Sequence, residues 1–205
     1  MAAAGKRGAL KDFVAEGEVG EQRLRIVGFT AGNRSAAYHP DRVTIETADG
    51  QVIQARDHPG GALPASVEEG SWDDLDLAFF CGLTIRNHMA IPSCFADPGF
   101  QVDEVAPRRD DAQGWRRLRV RFPPEVATYA REQIFSFDEN GLQRRMECDF
   151  RRFGAESLVL SWWAHQVFAG VTAPTLGRMV LARRVNGIVS QIPLIDLEMF
   201  DLSFE

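Results

Sequence analysis

"WDDLDLAFFCGLTIRNHMAIP", residues 72–92, decides how this chain is read. It is the one long stretch of helical character in a sequence whose other apolar segments alternate as strands do. Asp73, Asp74 and Asp76 place negative charge at the positive end of a helix, and Ser71 or Asp73 can cap it. Pro92 stops it. The span is about 18 residues, or roughly 27 Å. Leu75, Phe79 and Leu83 form one stripe, and Leu77, Cys81, Ile85 and Met89 cover others. Ala78 and Gly82 leave a small-residue groove where a strand can approach closely. A helix that is apolar all round is buried on several sides, so the economical partner for a single such helix is a strongly curved sheet that wraps it.

Working outward, turn signals divide the rest of the chain into strands. Asp49-Gly50, Asn140-Gly141 and Asn186-Gly187 each sit between strand-like runs and suit two-residue type I′ turns, with Ala169-Gly170 a weaker fourth. Val43 to Thr47 pairs with Gln51 to Arg56 in this reading, and Tyr129 to Asp138 with Leu142 to Phe150. Ser157 to Phe168 precedes Val171 to Val185. In Trp115 to Phe122, Leu118, Val120 and Phe122 share one face, and Arg117, Arg119 and Arg121 the other. Ile192 to Phe200 is the last strand. Asp12 to Val19 and Arg23 to Phe29 are the earliest. Hairpins in series imply an antiparallel meander rather than a doubly wound sheet. The expected fold is α+β: a large curved antiparallel β-sheet, a half-barrel, around one long mid-chain helix. Asp57 to Ser71, "DHPGGALPASVEEGS", reads as the longest loop.

The 205 residues suit a single domain with a flexible tail over residues 1–10. Apolar residues make up 45% and charged residues 25%, an ordinary balance for a globular protein. The 23 basic and 29 acidic residues give a net charge of −6, which argues against a general nucleic-acid partner. No run approaches the roughly 18–20 apolar residues of a membrane span. "MAAAGKRGALKDF" lacks a long apolar segment after its basic residues, so the expectation is a cytoplasmic protein. Cys81, Cys94 and Cys148 are odd in number and widely spaced, as reduced, buried thiols are.

"FSFDENGLQRR" (residues 135–145) and "GVTAPTLGRMVLARR" (residues 170–184), with the order of the elements, resemble the half-barrel fold of the bacterial lipoprotein carriers LolA and LolB. "WDDLDLAFF", "GWRRLRVRFP", "EQIFSFDENGLQRR" and "APTLGRMV" more closely resemble a group of bacterial proteins. The resemblance implies an apolar cavity between sheet and helix. The carriers are periplasmic and carry a signal peptide, from which this chain departs. Some cofactor-free biosynthetic enzymes share the fold.

No phosphate-binding loop, dinucleotide fingerprint, zinc-protease helix or nucleophile elbow is present, so neither cofactor nor metal is expected. Among the 4 histidines, His39, His58, His88 and His165, no spacing marks a metal site. Candidate groups come from the polar end of the helix and from the strands. Arg86, Asn87 and His88 span about 200° of helix circumference. They either meet the helix dipole and its free carbonyls, or one of them faces the interior and needs a partner. His88 then qualifies as acid or base. Tyr129, Gln133, Phe135 and Phe137 share a face that lines a cavity or lies on a solvated ladder, with Glu132 opposite. Trp163 and His165 share a face, as pocket groups or as a half-buried pair. Arg56 and Arg178 either hold a ligand carboxylate bidentately or pair with a protein acid such as Glu46 or Asp196. Glu147 and the run Arg116, Arg117, Arg119 and Arg121 read as salt-bridged sheet surface. The function expected is binding of a hydrophobic small molecule. The alternative is a cofactor-independent cyclase, isomerase or lyase using His88, Tyr129, Glu132 or His165. A homo-oligomer is left open.

Overall fold

The structure, a computed structural model, describes residues 2–3, 10, 12–18, 20–30, 33–63, 72–108, 114–151, 155–185 and 188–203. In chain order the elements are β1 (Ala2–Ala3), β2 (Val14–Glu16), β3 (Leu24–Val27), β4 (Arg34–His39), β5 (Arg42–Thr47), β6 (Val52–Asp57), α1 (Pro59–Ala62) and α2 (Asp74–Ala90). A 3-10 turn at Ser93–Ala96 leads to β7 (Gln101–Val105), β8 (Arg116–Arg121), β9 (Glu132–Phe137) and β10 (Gln143–Asp149). Then come β11 (Ser157–Phe168), β12 (Val171–Val185) and β13 (Ile188–Glu198). The fold is mainly antiparallel sheet with one long helix. Its strands divide between two sheets where the sequence suggests one. β2 to β6 hydrogen-bond in chain order in the smaller sheet, and β7 to β13 do so in the larger. Contacts group the chain into two compact units. One holds Ala2–Pro98 and Pro123–Thr128, the other Gly99–Phe122 and Tyr129–Glu205.

In the first unit α2 packs on β3, β4, β5 and β6. Its 17 residues begin at a reciprocal capping box. The Asp76 amide donates to the Asp73 carboxylate at 2.8 Å, and the Asp73 amide donates to the Asp76 carboxylate at 3.1 Å. Ser71, the other cap candidate, lies outside the described residues, as does most of the expected long loop. Arg56 on β6 reaches both acids, at 2.6 Å to Asp76 and 2.5 Å to Asp73. Its guanidinium is therefore engaged by protein carboxylates, although by different acids from those the sequence suggests. Burial pushes the Asp73 carboxyl up, but hydrogen bonds from Arg56 and the Asp76 amide bring it below its ordinary range.

Across the sheet, Leu24, Tyr38 and Val43 stand opposite one another, and Ile26, Ala36 and Ile45 form the next row. All are buried. Tyr38 presses on the helix at Gly82, where any Cβ would collide with its ring. Its ring also stands 5.9 Å from that of Phe79. The small-residue groove of the helix thus receives a strand residue, as the sequence suggests.

Two neighbouring cross-strand rows of the second unit show alternation. Leu118, Phe135, Met146, Leu160, Met179 and Ile195 form one cross-strand row. Arg117, Ser136, Arg145, Ser161, Arg178 and Asp196 form the next, on the opposite face. Trp162 lies over Gly177, which leaves no space there for a side chain.

Two of the expected type I′ turns are of another kind. Thr47 and Gln51 close a three-residue loop, and so do Asp138 and Leu142, with N–H to O distances of 2.9 and 3.0 Å. Only Gly50 (φ 85°) and Gly141 (φ 76°) are left-handed in them, as in a type I turn followed by a bulge. The two-residue type I′ geometry occurs at Ala169 (φ 47°) and Gly170 (φ 87°), between the paired Phe168 and Val171. Asn186-Gly187 lies outside the described residues.

Gly82→Ala should lower the unfolding free energy by at least about 1–3 kcal/mol, the ordinary cost of overpacking, in chemical denaturation. Ala169→Asn should raise it by up to about 1 kcal/mol, since asparagine tolerates the left-handed conformation better than alanine.

Candidate functional site

At one end of the smaller sheet, where β2 turns into β3 and β4 into β5, a cavity of about 480 Å³ opens. Glu16, Gly17, Glu18, Glu21 and Arg23 of the first connection form one wall. Arg25, Ala37, His39, Arg42 and Thr44, from one face of the sheet, form the other, and Leu24 and Tyr38 also belong to the lining, although the Tyr38 ring packs on the helix side. The glutamates are exposed, so both charge signs meet water at this groove. Arg23 lies 3.7 Å from Glu21, Arg25 3.5 Å from Glu46, and Arg42 2.5 Å from Asp57.

Tyr38 joins this groove to the helix. Its side chain is 2% exposed, and its hydroxyl has no hydrogen-bond partner. Burial, opposed by the charge of Arg86 and assisted by Asp41, raises its pKa far above the usual phenol value. The hydroxyl is neutral and keeps its proton. Arg86 is itself buried, and its Nε donates to the carbonyl of Glu21 at 3.2 Å. The β2–β3 connection is thereby tied to the last turns of α2.

The other residues of the helix end differ in setting. Asn87 is 4% exposed, with neither its amide nitrogen nor its oxygen paired. Its backbone carbonyl accepts from Ile91 at 3.0 Å. His88 is half-buried. Cys94, in the 3-10 turn, is buried and its thiol is pushed up to about 11, by burial against the opposing charge of Arg86. Cys81 and Cys148 are likewise buried and unbridged.

The strand candidates lie in the second unit. Tyr129 is half-buried before β9 begins. Glu132 is exposed and pairs with Arg119 at 3.6 Å and Arg121 at 3.3 Å. Gln133 is 1% exposed and its side chain donates to the Ala130 carbonyl at 3.1 Å. Phe135 is fully buried, with its ring 6.3 Å from that of Phe122. Phe137 is half-buried. Trp163 is 38% exposed, whereas its neighbour Trp162 is buried. Arg178 pairs with Asp196 at 2.6 Å, the protein partner suggested by the sequence. Glu147 gathers Arg108 at 2.8 Å, Arg117 at 2.5 Å and Arg145 at 3.2 Å.

His165 Nδ1 stands 3.3 Å from the Arg144 guanidinium, which also pairs with Asp138 at 2.6 Å. Burial, then the charge of Arg144, lowers the imidazole pKa and keeps the ring neutral. Glu132 and His165 are not brought together. β9 and β11 run the same way, and Ser136 and Ser161 share a row through Arg145. Glu132 precedes that row and His165 follows it, so roughly 25 Å separates them at the usual strand rise.

No family model, curated protein or solved structure matches the chain. The groove residues escape the sequence reading because β4, "RSAAYH", has little strand character. One signal was available. Tyr38 is one of only 2 tyrosines in the chain.

Asp138 offers a titration test. Burial pushes its carboxyl up, but the amides of Leu142 and Asn140 and the Arg144 guanidinium hold it below the usual range. Its contribution to stability is complete above the unfolded value near about 3.9 and is lost as pH falls through the lowered one. Asp138→Asn should therefore destabilise the protein at neutral pH and flatten the acid limb of its stability–pH curve in thermal scans.

Proposed function

We propose that the protein binds a small, water-soluble molecule in the groove between the β2–β3 and β4–β5 connections. The observation that carries this reading is a groove of about 480 Å³ whose lining gathers Arg23, Arg25, His39 and Arg42 with Glu16, Glu18 and Glu21. A concave surface with converging polar groups can orient a small ligand. Arg86 supports the reading, because its bond to the Glu21 carbonyl fixes one wall against a helix. The groove is ready-made rather than assembled on binding.

The sequence suggests a hydrophobic ligand, whereas the walls of this groove favour a charged or polar one. The carrier character implied by the resemblance to LolA and LolB is kept within the proposal, with a different cargo. A sheet curled about α2 belongs to it as well, supported by the contact of four successive strands, β3 to β6, with one helix. Binding is favoured over the enzyme alternative because Glu132 and His165 stand apart and Glu132 is held by surface arginines.

Amide chemical shifts followed by NMR during titration with a mixture of small polar metabolites test the proposal. Perturbations should cluster at residues 16–25 and 37–44. Perturbations confined to other parts of the chain would overturn the assignment.

A further inference from the structure

The longest run of the sequence without Asp, Glu, Lys or Arg extends from Ser157 to Gly177. Charged residues make up 25% of the chain, so these 21 positions would ordinarily hold about five of them. The run coincides with β11, its turn and the first half of β12.

Its outer part extends past the neighbouring strands of the larger sheet. β10 pairs with β11 as far as Ser161, and β13 with β12 as far as Leu176, after which the Met199 amide donates to the Thr175 carbonyl at 2.8 Å. Beyond these points, among the described residues, the ladder joins β11 to β12 alone, from His165 and Pro174 to Phe168 and Val171. At the root of this two-stranded ribbon the Thr175 hydroxyl donates to the Ala164 carbonyl at 2.6 Å. Trp163 is 38% exposed, Val167 69% and Val171 46%. A lone ribbon with apolar side chains in water is marginal, and an open strand edge is a template for another strand.

The two edges of the ribbon are not equivalent. β12 carries Pro174, which has no N–H and so interrupts its edge. β11 runs from Ala164 to Phe168 with every N–H present, over roughly 17 Å. Lipid is a poor occupant, because open backbone groups find no partners in hydrocarbon. Charge points to a second copy of the chain. At a net charge of −6 two copies repel, and this uncharged edge is where they meet without opposing like charges. The one titratable side chain of the ribbon, His165, stays neutral beside Arg144.

We propose that β11 pairs edge to edge with β11 of a second copy, antiparallel about a two-fold axis at Gln166. Gln166 then faces its own counterpart, His165 faces Val167 of the partner subunit, and Ala164 faces Phe168 of the partner subunit. The two ribbons form one four-stranded sheet. So short an edge falls below the usual size of a stable interface, and the dimer dissociates at about 10–100 µM. This association is independent of the groove in the other unit.

Sedimentation velocity on the full chain, over a concentration series spanning that range, tests the proposal. The parent should pass from monomer to dimer. Gln166→Lys and Gln166→Glu each set like charges face to face across the axis, and each alone should weaken the dimer by at least about tenfold. An equimolar mixture of the two variants should restore it, because lysine then faces glutamate. Gln166 is exposed, so the thermal midpoints at low concentration should stay close to that of the parent. If the parent remains monomeric throughout, or dimerises equally well with either charge at position 166, the proposal falls. Co-sedimentation of a monomeric parent with phosphatidylcholine vesicles would put lipid on the ribbon and overturn it as well.

Discussion

The contact of Tyr38 with Gly82 sets the distance between α2 and the smaller sheet. A helix axis normally stands off a sheet by the thickness of two side-chain layers. Here one layer is missing, because glycine has no side chain and the tyrosine ring occupies the gap. Phe79 on the preceding turn and Arg86 on the following one are placed by that closeness. Both the ring and the hydroxyl are buried, so the residue that holds the helix in place also carries an unpaired polar atom into the interior.

Electrostatics in the first unit follows the same economy. Arg56 closes the capping box at the helix N-terminus, and Arg34 lies 3.8 Å from Asp74 beside it. Both cations come from strands and meet acids at the end of the helix that favours negative charge. At the other end Arg86 meets a carbonyl of the β2–β3 connection. The helix is tied at both ends by long-range polar contacts and along its middle by packing. Among the described residues of this unit, most charged groups are engaged by the fold.

Periodicity carried much of the fold into view. β11 and β12 match their expected spans because they are long and bounded by a clear turn. The apolar and basic faces of β8 follow from alternation alone. β4 is obscure because serine and alanines say little about strand formation, and its packing against a glycine needs no bulky apolar residue. β7, "QVDEV", is obscure because an edge strand with charged, exposed side chains has no buried face to advertise. That obscurity hides the groove too, since one wall comes from β4. The polar end of α2 was legible as unusual, and Arg86 and Asn87 are indeed buried. Its partner could not be read from sequence, because Glu21 accepts through its backbone carbonyl, which every residue carries.

The smaller unit is not a continuous piece of chain. It includes Pro123–Thr128, delivered after β7 and β8 of the other unit have been laid down. Gln22 clamps that segment, donating to the Glu125 carbonyl at 2.7 Å and accepting from the Ala127 amide at 2.6 Å. Gln22 sits in the same connection that forms a wall of the groove. During synthesis, therefore, the last hydrogen bonds steadying that wall wait until residue 128 has emerged, long after its own strands are made. The two units share a timetable as well as a chain.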